Sequence, residues 1–597
     1  MKKLLRYLKN YLKETIIGPF FKLLEASFEL IIPLVVAQII DIGIKDGDIG
    51  YIATRALIMI GLGLVGLASS LTAQYFAAKA ATGFATELRH SLFEHIQTLS
   101  FSEIDEIGTA RLINRMTSDV NAVQSCVNMV IRLFLRSPFI VFGAMIMAFT
   151  IDVKCALIFC VAIPVLAVIV FGIMLASIPL YRKVQSGLDN ILKITRENLT
   201  GTRVIRAFNR EDDEIESFNR GNTSLRGVQI FAGKISALMN PVTFVVINVA
   251  TVILLYTGAV KVDTGILTQG QVVALVNYMS QILVELIKLA NLIIQVTKAV
   301  ACANRIQEVF EIKAGMEFPE VSAGSRDDGY AVEFNNVSIA YRNAGAESLS
   351  NVDIKVKHGE TIGIIGGTGS GKSTLVNMIP RFYDATKGEV LVDGVNVKDY
   401  TKEDLRNKVG IVMQKAVLFN GTIRDNMKWG KQNASDDEIN EAIKNAQAEE
   451  FVSSKDGRLD YMIAQGGRNL SGGQKQRLTI ARALVRKPSI LILDDSASAL
   501  DYATDAALRA SIRKIGEEGG GKLTTFIVSQ RTASLRSADR IIVLEDGAVA
   551  GIGTHDELLE NCAVYREIYN TDSNKAAGGA RSVSYTHLRA HETPEHL

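Results

Sequence analysis

Long apolar runs without a charged residue fill the first half of this chain and restrict what it can fold into. Examples are residues 56–78, 155–181, 235–260 and 264–284. Each run is longer than the roughly 20 residues that a helix needs to cross a bilayer core of about 30 Å. Long buried helices of a soluble protein are the alternative, but several such runs in one chain indicate an integral membrane protein.

Six membrane spans are predicted, and the segments between them alternate in length. The spans are 15–43, 52–80, 123–150, 153–181, 236–261 and 266–296. Charged residues interrupt the first span, which makes it the weakest of the six. Short connections alternate with two long polar segments, 80–120 and 182–234, whose patterns predict helical extensions into the cytoplasm.

The N-terminal segment, residues 1–13, is basic and amphipathic. A cleaved signal peptide would continue with a compact apolar core and a small-residue cleavage site, and neither follows. We expect a helix on the cytoplasmic membrane surface, where its cations lie near anionic lipids. This placement agrees with the bias of positive charge towards the cytoplasm and predicts a multi-pass protein of the plasma membrane.

The composition changes after about residue 312, where the apolar runs end and an ordinary α/β mixture begins. A chain of 597 residues is also too long for a single hydrophobic core. We expect a transmembrane domain over 1–312, a linker over 313–330 and a second domain over 331–572. The predicted fold class is an α-helical six-span membrane domain with long cytoplasmic helical extensions, followed by an α/β domain.

Charge and cysteine content argue against several functions. The formal net charge is only +2, so the chain lacks the electropositive footprint of a nucleic-acid-binding protein. Its five cysteines are scattered, mostly in apolar segments, without the spacing of metal ligands. They are interpreted as small buried hydrophobic residues, and no disulfide framework is expected.

A glycine-rich segment of the second domain matches the P-loop pattern of nucleotide-binding proteins. An apolar strand pattern precedes it at residues 361–365, and a helical pattern follows. In this context glycines let backbone N–H groups converge on phosphate oxygens, and the helix N-terminus adds partial positive charge. Lys372 is expected to reach the β- and γ-phosphates of ATP, and Ser373 to bind Mg²⁺. The predicted nucleotide-binding residues of this segment are Gly366, Gly367, Thr368, Gly369, Ser370, Gly371, Lys372, Ser373 and Thr374.

Two further motifs follow the P-loop. Leu470-Ser-Gly-Gly-Gln474 opens a helix, and Ser489-Ile-Leu-Ile-Leu-Asp494 is an apolar strand that ends in an acid. Together with the P-loop, they resemble the ATP-binding cassette of ABC transporters, specifically exporters that carry membrane and ATPase domains in one polypeptide. The resemblance covers nearly the whole chain and implies that the second domain is a P-loop ATPase cassette.

The resemblance implies roles for several cassette residues. Tyr341 falls where the family places an aromatic side chain that stacks on adenine, with a core tyrosine as the alternative. Gln414 matches the glutamine that touches Mg²⁺ and senses the membrane domain. Asp494 matches the acid that holds Mg²⁺ through water.

The resemblance also implies a second subunit. In the family the signature motif caps the γ-phosphate of ATP held by the opposite subunit; here it consists of Ser471, Gly472, Gly473 and Gln474. A serine hydroxyl, glycine amides and a helix N-terminus suit an anion and cannot fold back onto their own P-loop. Residues 498–501 match the loop that crosses the dimer interface, so two chains are expected.

Two residues depart from the family's catalytic pattern. A glutamate that polarises water would follow Asp494, and a histidine would end the switch strand; these positions hold Asp495 and Gln530. Aspartate withdraws the carboxylate by about 1 Å, and a misplacement of that size can cost on the order of a hundredfold in rate. Glutamine cannot become an imidazolium or relay a proton. Gln465 also replaces an acid, so the predicted catalytic residues, Asp495, Gln530 and Gln414, form an impaired site.

The resemblance is closest to heterodimeric bacterial multidrug exporters, in which one composite site hydrolyses ATP and the other mainly holds it. This chain would build the degenerate site, and its signature motif would complete the competent site of a second half-transporter. Small amphiphilic substrates, whether drug-like, lipid or peptide, would leave the cytoplasm across the lipid bilayer. The alternatives are a homodimeric exporter that hydrolyses slowly through Asp495, and an ATP-gated regulatory membrane subunit that drives no transport.

Each long cytoplasmic segment contains a stretch that resembles the family's coupling helices. The stretches are 101–119 and 197–211, and glycines at 108 and 201 punctuate them. Simple solvated hairpins are the alternative interpretation.

Ionisable residues within or near the spans have three possible roles, because charge is costly in a membrane. They line a polar central cavity, pair between helices, or extend to the membrane interface. The residues concerned are Glu25, Glu29, Arg132, Arg136, Glu285 and Lys288.

The end of the chain, from about Val583 within the tail 573–597, is predicted not to be native protein. Residues 583–593 match one translation frame of a transposon-end sequencing adapter, and the cassette is complete by Asp572. A disordered polar tail is the alternative, but it does not explain that match. The histidines of this segment are therefore not interpreted as a metal site; they are His587, His591 and His596.

Overall fold

The computed structural model describes residues 3–324, 329–341, 344–496, 499–520 and 522–576, and of residues 573–576 only the backbone. Two compact units make up the chain. The helical unit comprises Met1–Thr98 and Gly108–Lys313, and the cassette unit comprises Leu99–Ile107 and Ala314–Leu597. The predicted adapter segment lies outside the described residues.

Eleven α-helices precede the first strand in the described part of the chain, and all but α3 belong to the helical unit. They are α1 (Leu12–Gln38), α2 (Ile49–Thr98), α3 (Phe101–Ile107), α4 (Thr109–Asn114), α5 (Val120–Leu133), α6 (Arg136–Ile151), α7 (Val153–Thr200), α8 (Thr202–Ala207), α9 (Glu211–Ala237), α10 (Met239–Asp263) and α11 (Gln269–Glu311). A short 3₁₀ helix, Leu4–Tyr11, leads into α1. Both predicted cytoplasmic extensions are helical, and the glycines at 108 and 201 separate α3 from α4 and α7 from α8.

Six continuous helical stretches of the described residues are long and apolar enough to cross a membrane. They are Leu4–Ile44, Ile49–Thr98, Thr109–Ile151, Val153–Thr200, Glu211–Asp263 and Gln269–Glu311. The predicted six-span helical fold is therefore confirmed. The helices reach well beyond the apolar parts, so each span continues into a polar extension.

Close helix packing in the helical unit depends on small residues, as expected where lipid supplies no hydrophobic drive between helices. A Cβ on Gly270, at the start of α11, would lie 2.3 Å from the carbonyl oxygen of Ala37 on α1. The Gly270 amide donates to Asp41 Oδ1 at 2.7 Å, just beyond α1. The Tyr278 hydroxyl donates to the Leu30 carbonyl oxygen at 2.6 Å and joins the same two helices again.

A network of ion pairs is buried where α1, α6 and α11 meet. Arg136 donates to Glu285 Oε1 at 2.5 Å and to Glu29 Oε2 at 2.6 Å. Glu285, which is 2% exposed, also accepts from Ser137 at 2.7 Å and from Lys288 at 2.8 Å. Four of the ionisable residues singled out in the spans therefore pair with one another, as charges inside a membrane must.

Replacing Arg136 with methionine should destabilise the helical unit by about 3–5 kcal/mol, because the buried Glu285 would lose its interhelical partner. Arg210→Met is the control: the Arg210–Asp213 pair is exposed on both sides, and such pairs contribute about 0–1 kcal/mol. Equilibrium unfolding of the purified chain in mixed micelles measures both losses. Equal losses would contradict a structural role for the buried network.

The strands of the cassette unit form two main sheets and one small one. They are β1 (Tyr330–Ile339), β2 (Leu349–Lys357), β3 (Thr361–Gly366), β4 (Lys387–Val392), β5 (Val395–Asn396), β6 (Val409–Val412), β7 (Gly421–Thr422), β8 (Met462–Ile463), β9 (Ile490–Asp494), β10 (Thr524–Val528), β11 (Arg540–Glu545) and β12 (Ala548–Gly553). One sheet is antiparallel, in the order β2-β1-β4-β5. The larger sheet, in the order β12-β11-β3-β10-β9-β6, is parallel except for its edge strand β12.

Helices cover the larger sheet and complete the cassette fold. They are α12 (Lys372–Met378), α13 (Lys402–Lys408), α14 (Ile423–Lys428), α15 (Asp436–Asn445), α16 (Glu449–Ser453), α17 (Gly472–Val485), α18 (Tyr502–Glu518), α19 (Thr532–Leu535), α20 (His555–Asn561) and α21 (Ala563–Ala576). Strands β9 and β10 are buried along their whole length, as is typical of central parallel strands. The predicted α/β cassette is confirmed.

Candidate nucleotide-binding site

Four predicted motifs meet at one edge of the larger sheet. The P-loop begins where β3 ends at Gly366, and β9 ends at Asp494. β10 runs parallel to β9 with Val528 opposite Asp494, so Gln530 follows at the same edge. β6 pairs with the other side of β9 and leads towards Gln414. Because parallel strands share a carboxyl edge, residues distant in sequence converge there, which is where ligands bind in open α/β sheets.

Lys372 occupies the interior of the P-loop. Its side chain is 9% exposed, and Nζ donates to the carbonyl oxygens of Gly366 at 3.0 Å and Gly367 at 2.6 Å. Burial lowers the pKa of Lys372, and the nearby carboxylates Asp494 and Asp495 oppose that shift. The ammonium group is therefore held within the loop that would surround the phosphates.

The glycines of the P-loop serve two different purposes. Gly371 has a φ of 91°, and a Cβ there would lie 2.6 Å from Leu349 Cδ2, so a larger residue would disturb the packing behind the loop. At Gly367 and Gly369, no described atom lies within 4 Å of a Cβ position. These two residues and Thr368 are exposed, which leaves the outer side of the loop open to a ligand. The loop therefore has the form that a phosphate cradle requires.

Ser373 and the buried Asp494 form a pair of oxygen ligands at the foot of the P-loop. Ser373 Oγ donates to Asp494 Oδ1 at 3.0 Å. Burial raises the pKa of Asp494; the Ser373 hydrogen bond opposes the rise, Asp495 adds to it, and Lys372 opposes it. These oxygens suit a hard divalent cation, so Ser373, Asp494 and Gln414 are the residues that would hold Mg²⁺ and neutralise phosphate charge.

Asp495 is fixed by its backbone as much as by its side chain. Its φ is 46°, in the left-handed region that aspartate tolerates better than most residues, and its amide donates to the Val528 carbonyl oxygen at 3.0 Å. Burial raises the pKa of its carboxyl group, whereas a hydrogen bond with Gln414 and the positive charge of Arg531 oppose the rise. The structure thus brings Asp495 and Gln414 together.

Arg531 is a residue that sequence reasoning missed. It follows Gln530, which is exposed, and its guanidinium carbon lies 5.3 Å from the ring centre of Tyr502. The sequence feature that could have identified it is a positively charged residue directly after Gln530, which ends the predicted switch strand. The positive charge of Arg531 lowers the pKa of Asp495, so the carboxylate predicted to activate water interacts with a cation that the predicted pair did not include.

Tyr341 lies next to the P-loop helix, in a cluster of aromatic rings. Its hydroxyl is 3.0 Å from Thr374 Oγ1, and its ring packs edge-on against Tyr383 with centroids 5.1 Å apart. The Tyr383 hydroxyl donates to Asp105 at 2.6 Å, and the Tyr383 ring lies 6.2 Å from that of Phe101. Asp105 and Phe101 belong to α3, the first part of the predicted coupling segment 101–119, so a chain of contacts runs from the predicted adenine-stacking residue to α3.

The signature motif caps α17. Ser471 Oγ accepts from the Gln474 amide at 3.3 Å, and Gln474 Oε1 accepts from the Ser471 amide at 3.1 Å, which is a capping box. A Cβ on Gly473 would lie 3.0 Å from the carbonyl oxygen of Ala499. Ser471 and Gly472 are exposed, so this helix end is presented on the cassette surface. Part of the expected interface loop, residues 497–498, lies outside the described residues.

Both units match known families. The family described as ABC transporter transmembrane region matches residues 15–286, and the family described as ABC transporter matches residues 349–498. The uncharacterised ABC transporter ATP-binding protein YfiB of Bacillus subtilis is 37% identical over 571 residues, covering 96% of this chain and 98% of the relative. The chain belongs to the ABC transporter family. Its membrane region and cassette share one polypeptide, as in ABC exporters.

Two other relatives have names that describe an activity. YgaD of Bacillus subtilis, provisionally named as a multidrug export ATP-binding/permease protein, is 33% identical over 583 residues, covering 95% of this chain and 98% of the relative. The ATP-dependent lipid A-core flippase of Desulfotalea psychrophila is 30% identical over 538 residues, covering 90% and 92%. This ABC transporter is therefore an ATP-hydrolysing, multi-pass membrane protein with its cassette in the cytoplasm.

Asp494→Asn should raise the melting temperature of the nucleotide-free protein at neutral pH. Burial raises the pKa of Asp494 above its unfolded value, so the folded protein binds that proton more tightly. Stability linked to this group is present below the unfolded pKa and is lost as pH rises through the folded pKa. The gain from asparagine should therefore shrink as pH falls from neutrality towards the unfolded pKa of aspartate, about 3.9.

Thermal unfolding of the detergent-solubilised chain measures this gain, and Asp505→Asn is the control. Asp505 is also buried, but it accepts from Arg509 at 3.0 Å and Ser534 at 3.0 Å. Its replacement should lower the melting temperature, because an ion pair is lost. A fall of similar size for both variants would contradict the electrostatic account of Asp494.

Tyr383→Phe should loosen α3 while it keeps the ring contacts. A hydrogen bond to a charged group contributes about 1.5–3 kcal/mol, so amide exchange over residues 99–107 should quicken by roughly tenfold or more. Hydrogen–deuterium exchange with mass spectrometry measures this. Tyr461→Phe, which loses only a bond from Asn469 at 3.2 Å, should leave the segment unchanged. Equal exchange in the Tyr383 variant and the parent chain would show that the hydroxyl does not hold α3.

Proposed function

We propose that this chain is one half of a heterodimeric ABC exporter that moves amphiphilic molecules out of the cytoplasm. Its own ATP site is degenerate, and its signature motif completes the competent site of the partner. One observation carries the proposal: binding groups and an impaired water-activating pair, Asp495 and Gln530, occupy the same sheet edge. Such a site would hold ATP far better than it hydrolyses it.

The binding half of the site supports retention of ATP. Lys372 supplies a positive charge inside an open glycine loop, and Ser373 and Asp494 supply the oxygen pair for Mg²⁺. A ring suited to adenine, Tyr341, lies next to the same helix. All of these groups match the pattern of the family, so this chain should bind ATP through its own residues.

The hydrolytic half supports slow turnover. The side chain of Asp495 is shorter than that of glutamate and is hydrogen-bonded to Gln414. The positive charge of Arg531 favours the ionised carboxylate but does not move it closer to the water that it would activate. Gln530 offers hydrogen bonds but cannot carry a proton. A carboxylate about 1 Å from its required position loses on the order of a hundredfold in rate. Slow hydrolysis through Asp495 remains chemically feasible, which is what a homodimeric alternative would use.

Two exposed surfaces support association with a second chain. On the cassette, Phe419 and Trp429 are stacked with ring centres 4.4 Å apart and are 44% and 66% exposed. In the second coupling segment, Phe208 is 73% exposed. Adjoining exposed aromatic residues mark interaction sites. In the proposed dimer the aromatic pair of each cassette receives the coupling segment of the other chain.

The cargo proposal is supported by the relatives and by the membrane domain. The names of YgaD and of the Desulfotalea protein refer to multidrug export and to a lipid A-core, and both describe those proteins only. The molecules that these two names describe share an amphiphilic character. The apolar spans with a buried polar network described above suit molecules with both apolar and polar parts.

The first test uses the purified chain alone. It should bind ATP, seen as a thermal shift, yet turn over no faster than a Lys372→Ala variant. In the complex with the partner, the double variant Asp495→Glu with Gln530→His restores the reach and the proton carrier, and should raise turnover and weaken the asymmetry between the two sites. Rapid single-chain hydrolysis that disappears in Asp495→Asn would support the homodimer instead.

The second test uses the chain in complex with the half-transporter that co-purifies with it. Ser471→Ala should reduce the turnover of the complex by about tenfold or more, because it removes a hydroxyl from the competent site. Asp495→Asn, in the degenerate site, should change that turnover far less. If Ser471→Ala left turnover unchanged, the cross-subunit role of the signature motif would be wrong.

A further inference from the structure

The switch segment, residues 529–532, follows β10 at the nucleotide edge of the larger sheet, and its first residue is held by β3. The Ser529 amide donates to the Ile364 carbonyl oxygen at 3.1 Å, and the Ser529 hydroxyl oxygen accepts from the Arg531 amide at 2.9 Å. Gln530, between these two residues, is exposed. The backbone course of the segment therefore decides where the Gln530 side chain lies.

The last residue of the switch segment is held by the C-terminal helix α21. Thr532 is buried, and its amide and its hydroxyl group donate to Asp572 Oδ2 at 2.8 Å and 3.2 Å. These bonds join residues that are 40 positions apart in the chain. The carboxylate of Asp572 therefore connects the end of the chain's last described helix to the edge of the nucleotide site.

The acceptor that α19 needs at its first turn does not come from its own N-cap residue. The first N–H groups of a helix have no partner within the helix, so a side chain at the N-cap usually accepts from one of them. Six other cassette helices have such a local cap, provided by Thr401, Thr422, Ser435, Ser471, Asp501 and Thr554. At α19 the N-cap residue is Arg531, whose side chain can only donate. Asp572 supplies the acceptor from a distant helix instead.

Helix α21 is well packed and can act as a fixed support. Tyr565 is fully buried, and its hydroxyl oxygen lies 2.7 Å from Nδ1 of His555 on α20. The His555 ring also packs edge-on against Tyr569, with centroids 5.4 Å apart. Ile568 packs against the hydrophobic core that contains Leu535 of α19. The helix that carries Asp572 is thus joined to the same core as the helix that it caps.

We propose that Asp572 is a positioning residue of the nucleotide site, which holds the switch segment so that Gln530 can donate to the terminal phosphate of ATP. Gln530 follows Val528, which pairs with Asp494, so it lies at the edge where Lys372 would meet the phosphates. A hydrogen bond from an amide N–H to a phosphate oxygen is charge-assisted, and it depends on the placement of the donor. Because ADP lacks the terminal phosphate, Asp572 favours ATP over ADP. This role uses only the chain's own site, so it holds for a heterodimer and for a homodimer alike.

The test compares two nucleotides on the purified full chain in detergent micelles. A fluorescent ADP analogue is displaced by ADP with Mg²⁺, or by the non-hydrolysable β,γ-imido analogue of ATP with Mg²⁺, and the ratio of the two affinities is measured. Asp572→Ala should lower the affinity for the ATP analogue by roughly tenfold and leave the affinity for ADP nearly unchanged. Equal losses for both nucleotides, or no loss for either, would overturn the proposal, because a purely structural role does not distinguish them.

Two further variants on α21 test the hydrogen bond itself. Asp572→Asn keeps a side-chain oxygen that can accept from Thr532, so it should retain most of the preference for the ATP analogue. Glu567→Ala is the control, because Glu567 is exposed on the same helix, and it should change neither affinity. If Asp572→Asn lost as much of the preference as Asp572→Ala, the hydrogen-bond account would be wrong.

A double-mutant cycle tests whether Asp572 acts through Gln530. Gln530→Ala alone should reduce the preference for the ATP analogue. In that background Asp572→Ala should have little further effect on the preference, because the donor that it positions is gone. Additive losses would show that Asp572 acts by another route and would overturn the assignment.

Hydrogen–deuterium exchange of the nucleotide-free chain gives a readout that does not depend on binding. Asp572→Ala should quicken amide exchange over residues 529–535, whereas Asp572→Asn and Glu567→Ala should leave it close to that of the parent chain. Unchanged exchange in the Asp572→Ala variant would show that the carboxylate does not hold the switch segment.

Discussion

The parallel pairing of β3, β10, β9 and β6 is the constraint on which the cassette site depends. Each strand places one functional group at the shared carboxyl edge. The pairing of Val528 with Asp494 fixes how far along the strands these groups lie. The same pairing buries two adjacent carboxylates, Asp494 and Asp495, next to a buried lysine. Burial raises the pKa of both carboxyl groups, so keeping them ionised costs free energy, and a ligand that brings Mg²⁺ would offset that cost.

A site that binds ATP well and hydrolyses it slowly still has a mechanical use. The adenine-stacking candidate Tyr341 touches Tyr383, and Tyr383 is bonded to Asp105 of α3. A nucleotide held against Tyr341 would therefore restrain α3 for as long as it stays bound. In the proposed heterodimer, slow hydrolysis would lengthen that time, so the degenerate site would suit a holding role while the site of the partner would supply the cycle of hydrolysis.

Sequence patterns predicted the structural elements that depend on neighbouring residues, but they did not predict the contacts between residues far apart in the chain. Six spans follow from the length of apolar runs, and the P-loop follows from glycine spacing between a strand and a helix. The pairing of Arg136 with Glu285 joins residues 149 positions apart, and nothing in the local pattern of either identifies its partner. Tyr383 likewise belongs to a loop whose importance appears only when Asp105, 278 positions earlier, is placed beside it.

The buried network of the helical unit is difficult to explain by stability alone. Well-packed apolar residues of similar volume often stabilise a protein as much as a buried ion pair does, or by about 1–4 kcal/mol more. Arg136 and Glu285 pair with each other, but Arg136 Nε is buried without a hydrogen-bond partner among the described residues. Glu29, the third member, bonds Arg136 through Oε2, and its side chain is 39% exposed. Removing one partner would therefore leave a buried charge unpaired, even though apolar packing in place of the whole network could hold the helices equally well.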